Sequence, residues 1–583
     1  MTKDLGVQNS PFLKYEVDYE RPPAPLSICG RGYVGGKAVG LMYAAAQFDT
    51  PAWKGLPHTD LVQVPVTTVL TSEFFDRFLD FNGLAGAYAE LDYLDLVARY
   101  LQARFPDSDR KLFSSLLARM DYPLAIRSSS LLEDNVNYSF AGIYLTLFIP
   151  NTGPPDVRLD HFESAVKRVF ASTYNPNAHA YRRHHQLRGR DEKMSILVQR
   201  MIGKRHGDLF YPPMAGVAFS HNYFPWTSRI KAEDGLVRLV FGLGTRAVGR
   251  NYARVFSPTQ PMLRPEGSVV DQIVRYSQDY FDAVDLISAR LVSPAVTDAV
   301  HNNPEWSKVC SVLVGEELLQ EPSPLGLRPG ERPVVTFRSI LRDDQYMPLV
   351  PLIRAVLGGL QESFGLPVDV EFACTFEGED HRPVFYLLQC RPLGARAKHQ
   401  HVQLPDLEGR TVVFSGGRCM GNGHRDDIRH LIYVSPQIWS AVPARELARS
   451  VGRLCHSLEG APFILAGPGR WGTNNPELGV PVDYGEIAGA AVLVEVAAGR
   501  GTPELSYGTH FFGDLVAQDT YYMPVFPEMG DRTDEAWLEA QPNVGPEQWV
   551  KLISPPAGFI VTFDGQTREA AVYLGEELGS EAN

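Results

Sequence analysis

Cysteine is scarce in this sequence, and what there is does not pair. Six cysteines (Cys29, Cys310, Cys374, Cys390, Cys419 and Cys455) are scattered over 583 residues with no Cys-x-x-Cys spacing. That pattern fits reduced thiols better than a disulfide framework or a zinc knot. An excess of positive charge is missing too: 55 Lys and Arg stand against 68 Asp and Glu, a net charge of −13. A general binder of nucleic acid or anionic membrane needs a basic face, so neither partner is expected. A local cationic pocket for a nucleotide remains compatible with this balance. No apolar run is long enough to span a bilayer. The start, "MTKDLGVQNSPFLKYEVDYERPP", lacks an apolar segment behind a basic end, so no signal peptide is read and a soluble, cytoplasmic protein is expected. Internal repeats and low-complexity tracts are absent as well.

What is present is an ordinary globular composition, 44% hydrophobic and 21% charged, in a chain too long for one core. About two to four domains are expected. After a Pro-rich lead-in, "GGKAVGLMYAAAQF" reads as a glycine turn opening a helix, with Lys37 in its first turn. Residues 73–120 carry helical periodicity, and strand-like runs follow at 123–127 and 141–148. A helical stretch, "FESAVKRVFASTYNPNAHAYRRHHQL", precedes short β-branched runs punctuated by Gly and Pro. "VDVEFACTF" and "PVFYLLQCRPL", joined by a polar turn, read as a buried hairpin. "GARAKHQHVQLPD" reads as a linker, and a new strand–helix rhythm begins near residue 405. The expected division is 1–395, a linker at 396–404, and an α/β domain at 405–583.

Five stretches in the first 395 residues share one chemical theme. "GGK" sets Lys37 beside flexible backbone at a helix start, a place suited to phosphate oxygens. "AIRSSSLLEDNVNYSFAGIY" (125–144) supplies Arg127, a forked donor, at what reads as a strand end, and then the small-residue loop "SFAG". "GLGTRAVG" (242–249) is a second glycine loop with Gly242, Gly244 and Arg246. "VDVEFA" and "LLQCRP" bring Glu371, Gln389 and Arg391 to equivalent depths on adjoining strands. A carboxylate and an amide oxygen there can hold Mg²⁺ while the arginine neutralises transferred charge. Taken singly, each element has a plain structural reading: a turn, a solvated lysine, an ion pair, a cross-strand polar pair.

In order and wording these stretches resemble the nucleotide-binding domain of the pyruvate phosphate dikinase and phosphoenolpyruvate synthase family, an ATP-grasp fold. The resemblance runs through "GGKAVGL", "AIRSSSLLEDNVNYSFAGIY", "AVKRVFASTYNPNAHAYR", "ILVQRMI", "AGVAFS", "GLGTRAVG" and "VEFA…LLQCRP". It implies ATP and Mg²⁺ as ligands, with Lys37, Arg127 and Arg391 on the phosphates and Glu371 and Gln389 on the metal. It further implies that Gln199 and Met201 line the adenine cleft and that Gly242, Gly244 and Arg246 touch the nucleotide. One departure is Thr245, where the family commonly carries an acidic residue.

The family usually continues with a mobile domain whose histidine takes phosphate from ATP, and then a barrel that binds pyruvate. Residues 405–583 are too few for that barrel, so pyruvate is not the expected acceptor unless a partner supplies its site. "ELSYGTHFFGDL" is similar to the carrier-histidine segment, with His510 after Gly-Thr at an expected helix start. The usual serine before the histidine is missing, and Phe511 and Phe512 replace small residues. "FILAGPGRWGTNNPELGVPVDYGEI" has two readings, a loop for an anionic or planar acceptor through Arg470 and Trp471, or a structural Ω-type loop. Three functions stand at this point: a dikinase-like phosphotransferase working through His510, a direct kinase or ligase, and a nucleotide-binding regulator without turnover. The acceptor is unidentified, and whether a protein partner or a homo-oligomer takes part stays open.

Overall fold

The computed structural model describes residues 10–575 other than 90, 132, 134–143, 177, 180–181, 183–191, 223–226, 228, 249–252, 266, 316–317, 324–325, 344–345, 394–401, 459–460, 474–478, 483, 488, 498–519 and 566. Residues group into two compact units. Met1–Asn175 and Asp191–Ala395 form the first; Pro176–Arg190 and Arg396–Asn583 form the second. Both are mixtures of helices and sheets, so the α/β class read from the sequence holds. No described helix is long and apolar enough to cross a membrane.

The first unit is built on two larger sheets. One has five strands in the order Leu26–Cys29, Thr67–Leu70, Met194–Arg200, Leu124–Ser130, Thr146–Ile149. Its first pair is parallel and the others are antiparallel. The second has six strands, with Arg254–Phe256, Leu236–Val240, Met214–Phe219, Val368–Glu377, Arg382–Pro392 and Val62–Gln63 side by side. Val368–Glu377 and Arg382–Pro392 are the long hairpin read from "VDVEFACTF" and "PVFYLLQCRPL". Both strands are inner strands, which is why their apolar runs are nearly continuous. The helix Leu349–Phe364 buries Leu352, Ile353, Val356, Leu360 and Phe364 in the unit's main core.

The helix Gly36–Gln47 begins where the glycine turn predicts. Gly35 has φ +80, and a Cβ there would lie 1.9 Å from the carbonyl oxygen of Ser129. Only glycine combines that backbone angle with that approach. No side chain of the helix's own N-cap residue satisfies its free amides. Ser129 does so from the neighbouring strand: its hydroxyl accepts from Ala38 N at 3.2 Å and donates to Val34 O at 2.9 Å.

That strand corrects one expectation. Arg127 is not at a strand end. The strand continues through Ser130, and all seven residues from Leu124 are buried. Serines favour turns when their hydroxyls have only local backbone to bond. Here Met194–Arg200 pairs the strand along its whole length, and the Ser128 and Ser129 hydroxyls find partners on other segments.

The second unit also has two larger sheets. Gly423–Ile428, Phe559–Phe563, Ala570–Leu574, Val412–Gly416 and Arg532–Thr533 form an antiparallel one. In the other, Tyr521–Val525, Ala490–Val496, Phe463–Pro468 and His430–Tyr433 run parallel, with Lys551–Ile553 antiparallel at the edge. The parallel strands read as unbroken apolar runs because such strands are covered on both faces. Their side chains, with those of the antiparallel sheet, share one core that includes Ile464, Val492, Val494, Met523 and Val561. Helix Ala444–Ser457 contributes buried Leu447, Val451 and Leu454.

Candidate functional site

Arg127 sits at the centre of a group of polar contacts in the first unit. Its Nη2 donates to Glu371 Oε2 at 2.5 Å and to Gln389 Oε1 at 2.6 Å. Its Nη1 donates to Gln199 Oε1 at 3.2 Å and to Leu388 O at 3.3 Å. Glu371 and Gln389 are directly opposed across the hairpin, so their oxygens reach one guanidinium nitrogen from adjacent strands. Gln199 enters from the next strand of the other sheet, and its amide is itself fixed by donating to Thr67 Oγ1 and Leu388 O. The sequence-predicted residues Arg127, Gln199, Glu371 and Gln389 therefore form one hydrogen-bonded group. Arg127 is 8% exposed, and its Nε is buried with no hydrogen-bond partner among the described residues.

The other predicted cations are each held by a carboxylate. Arg391 opposes Asp369 across the hairpin, two residues from Gln389 and Glu371 and on the same face, about 7 Å along the strand. Its Nε and Nη2 both donate to Asp369 Oδ2 at 2.8 Å. Lys37 Nζ is ion-paired with Glu133 and donates to Ser128 Oγ at 3.2 Å, the residue after Arg127. Arg246 Nε donates to Asp282 Oδ1 at 2.8 Å, and Thr245 Oγ1 donates to Asp282 Oδ2 at 2.6 Å. Thus a carboxylate does stand beside the Gly-Leu-Gly loop, borrowed from another segment. Gly242, at φ +87, lets the loop lie against that segment: a Cβ there would meet Asp282 O at 2.7 Å. The carbonyl of Gly244 accepts from the Ala247 and Val248 amides. Met201 is buried in a small apolar cluster with Ala125, Phe210, Leu243 and Val284, so it and the glycine loop contribute to one apolar surface.

Sequence reasoning missed the counter-ions Glu133, Asp282 and Asp369. Asp369 had a signal: it lies two residues before Glu371, so strand alternation puts both on one face. Glu133 lay inside the quoted acidic pair but had no visible partner. Nothing in the sequence marked Asp282.

Two oxygen atoms converging on one positive nitrogen also fit a hard divalent cation, which takes oxygen ligands from carboxylates and amides. Among the described residues no group of three or more His, Cys, Asp or Glu side chains is arranged to hold a metal by itself. The donor set, a carboxylate beside an amide oxygen, is of the kind that fits an oxygen-seeking ion such as Mg²⁺, which keeps water and phosphate oxygens among its ligands. Cys374, on the same strand as Glu371, is fully buried, and burial pushes its thiol well above the ordinary range.

In the second unit, Arg470 and Trp471 are buried, pairing with Gly479 and Val480 in a short parallel ladder. Trp471 is 1% exposed, and its indole donates to Val494 O at 3.1 Å. A planar acceptor has no open indole face to stack on, so the structural reading of this loop stands for the tryptophan. Glu495 receives the Trp471 amide at 3.0 Å and the Tyr522 hydroxyl at 2.5 Å. His510 lies outside the described residues.

Comparison with known proteins points to one family. The family model "Pyruvate phosphate dikinase, AMP/ATP-binding domain" matches residues 31–410. The phosphoenolpyruvate synthase of Deinococcus radiodurans is 24% identical over 586 residues, covering 93% of this chain and 62% of that protein. Those of Pseudomonas aeruginosa and Escherichia coli are 27% and 24% identical, each over 62% of this chain and 41% of theirs. The chain thus spans less than two thirds of the length of these relatives.

Proposed function

The chain belongs to the family of the pyruvate phosphate dikinase AMP/ATP-binding domain, and from that premise we propose that it is a Mg²⁺·ATP-dependent phosphotransferase of dikinase type, acting on an unidentified acceptor through an ATP-grasp nucleotide site. The observation that carries this reading is Arg127. A buried guanidinium with a donor to spare, clamped between Glu371 and Gln389, is what phosphoryl transfer asks of a protein: positioned charge rather than covalent chemistry.

Each residue has a definable task in this reading. Glu371 and Gln389 hold the divalent ion, which when bound neutralises charge on the phosphate oxygens. Arg127 turns its free donor toward the phosphates, while Gln199 and Leu388 O fix the plane of its guanidinium. Arg391, oriented by Asp369, supplies a second forked donor along the same strand, and Lys37 a compact cation from the helix start. Met201, with Leu243 beside it, offers an apolar floor for the base. The reaction breaks the bond from the transferred phosphorus to its bridging oxygen, whose electron pair leaves with the nucleotide. It forms one bond from that phosphorus to the acceptor atom.

His510 is the first acceptor in this proposal. A neutral imidazole nitrogen is a competent nucleophile near neutral pH. The domain division 1–395, 396–404 and 405–583 belongs to the same reading, because a carrier domain must move between stations. Its support is the grouping of residues 396–583 apart from most of the chain before them.

Incubation of the full chain with Mg²⁺ and ATP labelled at the β or γ position tests the whole reading. Release of AMP, with acid-labile, alkali-stable label on protein that His510→Ala abolishes, is the expected result. ADP as product, or label that survives His510→Ala, moves the function to a direct kinase or ligase. Nucleotide binding without turnover moves it to a regulatory protein.

A further inference from the structure

Each candidate phosphate-binding cation already has a carboxylate in contact: Arg127 with Glu371, Arg391 with Asp369, Arg246 with Asp282 and Lys37 with Glu133. Three of these carboxylates have another evident task. Glu371 lies beside Gln389 as an oxygen ligand pair, Asp369 orients a fork, and Asp282 ties down the glycine loop. Glu133 has none of these. It is fully buried, at 0% exposure. Its Oε1 takes the Lys37 ammonium and accepts from Ser128 Oγ at 3.3 Å, and its Oε2 accepts from Ser130 N at 3.2 Å. The backbone amide of Glu133 is bonded back to the Ser130 hydroxyl at 3.2 Å. The carboxylate is thus pinned by the end of the Arg127 strand, against an ammonium that the helix start carries in from 96 residues away.

We propose that Glu133 is a specificity-determining residue: an internal anion that occupies Lys37 and thereby makes the site reject polyphosphate that arrives without a divalent cation. The proposal rests on the Mg²⁺·ATP reading above. A polyphosphate oxygen reaching Lys37 must come close to the Glu133 carboxylate, and like charges in a buried setting repel strongly. A metal-free triphosphate carries more negative charge than its magnesium complex, so it meets the greater repulsion. Lys37 is the positioned cation, and Glu133 acts through it without touching substrate.

Two probes, inorganic tripolyphosphate and ATP, titrated into the full chain with excess Mg²⁺ or with a chelator, test this by calorimetry. Glu133→Gln keeps the side-chain length and removes the charge. It should tighten metal-free tripolyphosphate and metal-free ATP by about tenfold, equivalent to ~1.4 kcal/mol, and move Mg²⁺·ATP by less than about threefold. The double variant Lys37→Met with Glu133→Gln should show none of that gain, because the freed ammonium is gone. A merely structural ion pair predicts otherwise: both affinities weaken together, or neither moves, and either outcome overturns the proposal. A gain that persists in the double variant also overturns it, since Lys37 would then not be the intermediary. Should Glu133→Gln fail to fold, Glu133→Asp withdraws the carboxylate by one methylene. It is expected to shift the metal-free affinity in the same direction by about threefold, and no shift counts against the proposal. Mg²⁺·ATP binding with an unchanged metal dependence in these variants sinks the role of Glu133 alone. Absence of Mg²⁺·ATP binding in the wild-type chain sinks that role and the nucleotide reading together.

Discussion

The carboxylates Glu371 and Glu133 in the first unit and Glu495 in the second show different kinds of contact. In the first, cations meet carboxylates from far along the chain: Arg127 and Glu371 are 244 residues apart, and Lys37 and Glu133 are 96 apart. In the second, the buried Glu495 accepts from groups closer in sequence, the Trp471 amide 24 residues away and the Tyr522 hydroxyl 27 residues away, while a long-range ion pair joins the partly exposed Arg418 to Asp531, 113 residues on. A buried ion pair costs several kcal/mol per ion in lost hydration, roughly offset by its mutual attraction. It is therefore a poor explanation of stability. The Glu495 network does explain stability, since it ties a loop and two parallel strands into one sheet. The ionic pairs of the first unit are better explained by a ligand that needs fixed charge.

The largest expected effect separates the units by stability. Trp471→Ala empties a fully buried site and should cost about 3–5 kcal/mol in chemical denaturation, with little change in Mg²⁺·ATP affinity. An equal loss of nucleotide affinity would erase the distinction. A different balance is expected of Glu371→Ala. Turnover should fall by about 10²–10³-fold, and the nucleotide-free protein should lose some stability as well, because Arg127 is left buried without its carboxylate. Saturating Mg²⁺·ATP, about 100-fold above Kd, should stabilise the wild type by about 2.7 kcal/mol and leave Glu371→Ala unmoved. Unchanged turnover in that variant would remove Glu371 from the metal's ligands.

A smaller effect sharpens the account of the second unit. Tyr522→Phe deletes one donor to Glu495 and should cost about 1–3 kcal/mol, read from urea midpoints, without altering ATP binding. The smallest effect is one of pH, and it touches both units. Burial holds the imidazoles of His221 in the first and His430 in the second below their ordinary value of 6.5. The unfolded chain then binds more protons than the folded one as pH falls below about 6.5, so stability is lost there and is flat above it. Comparing urea midpoints at about pH 7.5 and about pH 5.5, His221→Asn should show a smaller drop than wild type. An identical drop would take His221 out of the effect.

Much of this was legible before any fold was known. The hairpin that carries Glu371, Gln389 and Arg391 announced itself by two apolar runs around a polar turn. The helix carrying Lys37 was marked by its glycines. The error at Arg127 has a physical cause: three serines after an arginine look like the end of a strand, because hydroxyls compete for local backbone. A strand with a full-length partner and distant partners for its hydroxyls escapes that rule. The loop with Arg470 and Trp471 was ambiguous for a related reason. Gly, Pro and Asn announce a turn, but they do not say whether the side chains between them face solvent or a core.

By itself the sequence determined the kinds of group available and their spacing along each element: which residues share a strand face, where a helix begins, and which segments pair with a family of known nucleotide-binding chains. Local sterics and period-two or period-3.6 burial act over a few residues, so they leave their mark in the linear order. Tertiary structure alone decided which carboxylate each cation meets. Coulomb attraction and desolvation depend on separation in space, and chain separation places no limit on either. Asp282 beside Thr245 and Arg246, and Glu133 against Lys37, exist as partners only once the strands have brought distant segments into contact.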